Sequence, residues 1–437
     1  MPTKLLQATL GLRPRSEQDM ETLEFRLLVV FAMAAILFGF LLNTPAEIWE
    51  GTGRILVSPS VLLSDYMEIG NPGATWVNAG FMMLIYVLYV RLHHDHFTGP
   101  LVAALFTIFG FAFFGKNLIN SLPITLGVYL WARLENKPSA NYLAPSLFGT
   151  ALAPAISFII FGKGLPIWLG VLIGYAVGIA IGILIPPLAA AFMKFHHGLS
   201  LYNVGFVAGI IGMVVVAIFN MYGRHVPDTF YEFDGSNWPE VAFVMTFSVL
   251  IFIAGFYYNG SSLQGMRGFM RQSGRAPSDF FALEGLGRTL MNLGLMGAMT
   301  TALVLITGGH MNGPVLGGIF TVIGFSAFGK NPRNAIFVIA GVLLAAAVMG
   351  RDLGSTPILV IALFGTTLSP ITGVYGPIYG VIAGFLHMAL VGNVAFLHGG
   401  LNLYNNGFSA GFVALILIPV FNAIFRIRKK TPPEFTT

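Results

Sequence analysis

The sequence predicts an all-α, polytopic integral membrane protein made of two inverted-topology repeats of about seven apolar segments each. Three observations predict it. Charged residues are 9% of the chain and hydrophobic residues 56%, with a mean hydropathy of +0.79. A soluble domain carries roughly 25% charged residues, so this chain could not cover a water-facing surface. Second, the stretch His96 to Asn117, HFTGPLVAALFTIFGFAFFGKN, recurs without a gap at His310 to Asn331, HMNGPVLGGIFTVIGFSAFGKN. Apolar runs share Leu, Ala and Phe by chance, but not His, Gly-Pro and Lys-Asn in register. Third, corresponding loops in the two copies carry opposite charge bias, as inversion requires.

Residues 1–23 read as an N-terminal cytoplasmic tail, and 24–222 as the first transmembrane repeat. Its apolar segments run about Phe25–Leu42, Ala74–Val90, Gly99–Phe114, Leu118–Ala132, Leu143–Phe161, Leu165–Phe192 and Gly198–Met221. Each approaches the roughly 20 residues a helical span needs, although the third, fourth and seventh could be re-entrant or broken. A polar, net acidic linker at 223–238 is expected outside the cell. The second, inverted repeat covers 239–425, and 426–437 is a basic C-terminal tail. Glu24 pairs with Glu240, Asn43 with Asn259, Asp65 with Asp279 and Asn78 with Asn292. Leu147–Pro154 pairs with Leu363–Pro370, and Gly198–Gly209 with Gly400–Gly411.

An odd number of segments per repeat turns the second copy upside down, and cytoplasmic loops carry excess Lys and Arg. With the N-terminus inside, the loop after the first segment is outside and net negative. Its partner at 260–288 carries Arg267, Arg271, Arg275 and Arg288. Arg91 lies in an inside loop, whereas the partner loop, Gly308 to Gly313, has no Lys or Arg. Lys163 and Arg351 fall on the outside and run against the pattern. The chain is expected in the inner (cytoplasmic) membrane, multi-pass, with both termini cytoplasmic.

The absence of cysteine excludes disulfides, thiolate metal sites and Cys nucleophiles. The net charge of +5 lies at chain ends and short loops rather than in a stripe, so no nucleic-acid partner is expected. Gly110 to Lys116 and Gly324 to Lys330 have P-loop spacing, but Asn follows the Lys where Ser or Thr should hold magnesium. No cofactor and no metal are expected. His93-His94-Asp95-His96 looks like a metal cluster, yet only His96 has a partner in the second copy.

The polar pairs repeated inside apolar segments are the candidate solute contacts: Lys116, Asn117, Lys330, Asn331, Asn203, Asn405, Thr150 and Thr366. Charged groups at membrane depth are costly and commonly functional. The structural alternative is a snorkelling Lys with Asn capping the next helix. A pair of lysines would favour an anionic or carbonyl-bearing solute. Asn203 and Asn405, flanked by glycines, suggest interrupted helices, or a turn in which Asn satisfies freed backbone groups. The threonines could face a pore or only pack. Pro154 and Pro370 should kink their helices. Phe114, Phe328, Phe206 and Phe408 are candidate pore constrictions. His197 and His398 precede the Tyr-Asn motifs, as interfacial anchors or proton carriers. Gly170, Gly174, Gly178 and Gly182, and Gly376, Gly380 and Gly384, recur every four residues as close-packing stripes.

GLSLYNVGFVAG and GLNLYNNGFSAG resemble the Gly-Leu-x-x-Tyr/Phe-Asn-x-x-Leu-x-Gly signature of urea transporters, which are also duplicated and inverted. Asn331-Pro332 echoes their Asn-Pro motif, while the first copy has Asn117-Leu118, and the LPxxTxPF signature is missing. Over its full length, with the paired Phe-Gly-Lys-Asn, the chain is more similar to a family of uncharacterised prokaryotic multi-pass membrane proteins. The urea-transporter resemblance implies a trimer with a narrow passage in each protomer, and a homo-oligomer, trimer or dimer, is expected. The expected function is a channel or secondary transporter for a small polar solute (urea-like, an amide or a small anion) working within the lipid bilayer, and not an enzyme. The alternatives are a membrane-embedded enzyme, or a structural or assembly protein without transport.

Overall fold

The computed structural model describes residues 17–94, 96–235 and 238–427. These form helices in two matching series. The first is α1 (Glu17–Leu42), α2 (Pro45–Val57), α3 (Tyr66–Ile69), α4 (Pro72–His93), α5 (Gly99–Phe111), α6 (Leu118–Leu134), α7 (Leu143–Gly149), α8 (Ala153–Phe161), α9 (Ile167–Met193) and α10 (Asn203–Met221). The second is α11 (Trp238–Tyr258), α12 (Met266–Phe269), α13 (Phe280–Glu284), α14 (Leu286–Ile306), α15 (Gly313–Phe325), α16 (Pro332–Val348), α17 (Thr356–Gly365), α18 (Ser369–Tyr375), α19 (Pro377–Val394) and α20 (Asn405–Ile427). Among the described residues there is no strand beyond an isolated bridge, Ser64 with Tyr231. Asp95, Ser236, Asn237 and most of both tails, with Arg428, Lys429 and Lys430, lie outside the described residues.

The apolar segments expected in each half differ in length. Ten stretches among the described residues are long and apolar enough to span, five in each series. The third and fourth segments are the short ones, with 13 residues in α5 and α15 and 17 in α6 and α16. At 1.5 Å per residue, α5 is about 20 Å long, short of a hydrocarbon core of about 30 Å. It is nevertheless buried almost throughout. It sits inside the protein, where a broken helix is tolerated because its freed groups find protein partners.

The local causes of the breaks are legible. Thr98 and Pro100 begin α5, and a tight turn ends it. Gly115 then takes φ +153, and a Cβ there would lie 2.6 Å from Leu403 Cδ2, so only glycine fits. Asn117 restarts the chain as the N-cap of α6, in a reciprocal capping box with Asn120. Asn331 and Asn334 do the same for α16. The expected proline kinks are breaks of another kind. A 3-10 turn, Thr150–Leu152, separates α7 from α8, and Thr366–Leu368 separates α17 from α18. Pro154 and Pro370 fall in the first turn of the helix that follows, where a missing N–H costs nothing.

The pairings repeat between the halves: α1 packs on α4 and α11 on α14, while α6 packs on α9 and α16 on α19. The glycine stripes serve the latter pair. A Cβ on Gly182 would meet Ile124 O at 2.2 Å, and one on Gly384 would meet Val338 O at 2.1 Å. Across the halves, equivalent helices pack on each other, α5 on α15 and α10 on α20. Gly110 abuts Gly317, and the equivalent Gly324 abuts Ala103. As one helix is climbed the other is descended, so α5 and α15 run antiparallel about a local two-fold. The equivalent rings Phe31 and Phe247 meet on it, with centroids 4.7 Å apart.

Candidate functional site

The four interrupted helices bring their breaks together beside the starts of α10 and α20. Leu201 N donates to Thr367 O in the opposite half, and Leu403 N donates to Ala151 O in return. This exchange brings Tyr202 and Tyr404 together, with ring centroids 4.8 Å apart and planes tilted by 47°. Around them lie Lys116 and Lys330, both fully buried.

Lys116 Nζ donates to Thr150 Oγ1 at 2.6 Å and lies 5.1 Å from the Phe111 ring. Lys330 Nζ donates to Thr366 Oγ1 at 2.8 Å and to Tyr202 OH at 2.6 Å, with the Tyr202 and Phe325 rings at 4.5 and 5.0 Å. The two halves therefore differ at their equivalent tyrosines. Tyr202 bonds the lysine of the other half, whereas Tyr404 OH donates to Thr107 Oγ1 at 3.0 Å.

The carbonyls freed at the breaks are already engaged. Asn78 Nδ2 donates to Ala112 O and Lys116 O, and Asn292 Nδ2 to Ser326 O and Lys330 O. Asn120 Nδ2 takes Gly115 O, and Asn334 Nδ2 takes Gly329 O. Asn117 and Asn331 accept from the third residue of the next helix, and their Nδ2 groups turn to Ile55 O and Gln272 O. Both therefore serve as caps and bond backbone.

Asn203 Nδ2 donates to Ala189 O, and its Oδ1 faces His196 Nε2 at 2.9 Å. Asn405 Oδ1 faces His398 Nε2 at 2.9 Å. The histidine equivalent to His398 is therefore His196, one position before the His197 the sequence suggested. His197 instead sits at φ +48, its carbonyl accepting from Arg275 Nε. Phe206 and Phe408 stack on each other at 6.1 Å, each over a glycine of the opposite half, Gly411 and Gly209. In the His93–His96 turn, His93 Nδ1 faces Tyr89 O, His94 Nδ1 faces His96 O, and His96 Nε2 pairs with Glu21 at 3.1 Å.

Two vestibules flank the centre, and their walls are equivalent. One, of about 460 Å³, is lined by Ala276, Pro277, Phe328, Ala189, Leu201 and Asn203. The other, of about 270 Å³, has the counterparts Leu62, Leu63, Phe114, Val391, Leu403 and Asn405. The larger reaches Tyr202, Tyr404 and Phe325. The smaller reaches Phe114 and Leu403 and is walled in part by Thr229 and Phe230 of the linker. That linker segment is pinned by Leu63 N to Thr229 O and Tyr231 N to Leu63 O.

The structure thus joins Lys116 with Thr150 and Lys330 with Thr366, and places Asn203 and Asn405 on the vestibule walls. Sequence reasoning missed Tyr202 and Tyr404, although each stands beside a chosen Asn in both copies. It paired Asn78 with Asn292 without assigning them the helix breaks.

The chain matches the family described as protein of unknown function (DUF1576) over residues 44–221 and 258–423, and it belongs to that family. The match covers both halves and leaves out the linker. No curated protein and no solved structure matched.

Proposed function

Starting from that membership, we propose that the chain carries a small polar solute across a membrane, through the centre formed by Lys116, Thr150, Lys330, Thr366 and Tyr202. The observation that carries this reading is the pair of vestibules with equivalent walls, one reaching Tyr202 and Tyr404 and the other Phe114 and Leu403, with the buried lysines in contact with rings behind them. A centre at a repeat interface, built from interrupted helices, is the arrangement by which inverted-repeat transporters hold a solute at mid-membrane. The antiparallel pairing of α5 with α15 supports inversion, and the arginines at 267, 271, 275 and 288 support a cytoplasmic placement for that loop. Asn203 and Asn405 form the vestibule approaches in this reading, with Phe114 and Phe328 as narrowings on either side. The centre's polar groups bond to each other and to backbone, which favours a passage over a catalyst.

The test is solute flux into proteoliposomes by stopped-flow light scattering. Wild type should raise the rate for a small solute above that of empty liposomes, and Lys116→Ala/Lys330→Ala should remove the increase. Monodisperse protein giving no flux for urea, amides, ammonium or small anions would sink the reading.

A further inference from the structure

We infer that the solute is a small anion, held by Lys116 and Lys330, where left-over donors outnumber left-over acceptors. The inference rests on the transport reading above and narrows its substrate class. An ammonium offers three donors and no acceptor. Lys116 spends one on Thr150, and Lys330 spends two, on Thr366 and Tyr202. Each threonine hydroxyl donates its own proton to a backbone carbonyl, Leu147 O or Leu363 O. The carbonyls released at the helix breaks are taken by Asn78, Asn120, Asn292 and Asn334.

What the centre still offers is therefore N–H from two lysines, against one unpartnered buried acceptor, Asn292 Oδ1. A urea or an amide brings more donors than that one acceptor can take, and an unmade buried hydrogen bond is costly. A carboxylate, nitrate or halide brings acceptors alone. Charge points the same way. Among the described residues no carboxylate pairs with either lysine, the ion pairs involving other residues. The fully buried acids are engaged or placed elsewhere. Asp65 accepts from the backbone N–H groups of Met67, Phe233 and Gly313, and Glu240 lies in the first turn of α11. A buried charge without a partner is strongly unfavourable, and an anion supplies the partner.

The experiment compares potassium chloride, nitrate, formate and acetate with urea and acetamide in proteoliposomes, alongside the melting temperature of the detergent-purified protein in each solute. At least one anion should move about tenfold or more faster than through protein-free vesicles and raise the melting temperature, while urea and acetamide do neither. Lys116→Met and Lys330→Met should each abolish that flux and the melting shift. If a variant fails to fold, the wild-type selectivity and melting shift decide alone. Flux of urea or acetamide without anion flux would overturn the anion and leave transport standing. Flux of neither class by monodisperse protein would overturn both.

Discussion

Tyr202→Phe and Tyr404→Phe remove the same atom from equivalent positions, and the structure assigns them different consequences. With Lys330 protonated, as the anion reading requires, Tyr202 OH accepts from a fully buried ammonium at 2.6 Å, while Tyr404 OH bonds a neutral threonine at 3.0 Å. A hydrogen bond to a charged group contributes about 1.5–3 kcal/mol, and one between neutral groups about 0.5–1.5. Both rings remain, so the contact of Lys330 with the ring at position 202, 4.5 Å away, is kept. The first variant should thus lose about 1–2 kcal/mol more stability than the second. Equilibrium unfolding in mixed detergent micelles measures both. Because the bond ties Lys330 of one half to Tyr202 of the other, Tyr202→Phe should also lower the barrier at the floor of the larger vestibule and raise flux. Equal losses, or a larger loss for Tyr404→Phe, would refute the asymmetry and with it the latch role of Tyr202.

Asn292→Ala strips two buried carbonyls of their donor, at 2.8 and 2.7 Å. At about 1–3 kcal/mol each it should cost more than any single-bond deletion at the centre, read as a fall in melting temperature. Gly110→Ala would place a Cβ 2.6 Å from Gly317 O at the crossing of α5 and α15. It should cost about 1–3 kcal/mol. Gly53→Ala, in the middle of α2 with nothing within 4 Å, should be neutral or stabilising by up to about 1 kcal/mol. If Gly110→Ala is as benign as Gly53→Ala, the two-fold crossing is misplaced. Asn203→Ala leaves His196 Nε2 without its partner and removes a second donor from Ala189 O, and should lower stability by about 1–3 kcal/mol. Flux per folded molecule should fall less than for Lys330→Met, and an equal fall would move Asn203 into the solute's own contacts.

Much of the fold was legible because the signals are local or repeated. Charge scarcity required a membrane, and the doubled His-Gly-Pro to Lys-Asn stretch required two copies. Asn117 and Asn331 could be read as caps because an N-cap and its partner are three residues apart. The number of full spans was less legible. The segments from Gly99 and from Leu118 are as apolar as their neighbours, and composition does not distinguish a helix facing lipid from one enclosed by protein. Pairing His197 with His398 is off by one position, although the register of Gly198–Gly209 with Gly400–Gly411 sets His196 opposite His398.

The sequence by itself determined the helical membrane class, the duplication and the residue types that sit at the helix breaks. Those follow from hydrophobic content, register and capping chemistry, which act along the chain. Only the tertiary structure decided that Lys116 meets Thr150, that Lys330 meets Tyr202 from the other half, and that Asn78 and Asn292 absorb the freed carbonyls. These partners lie 34 to 128 residues apart, and no local rule joins them. They meet because α5 and α15, kept small at Gly110 and Gly317, cross closely enough to set the breaks of both halves around one centre.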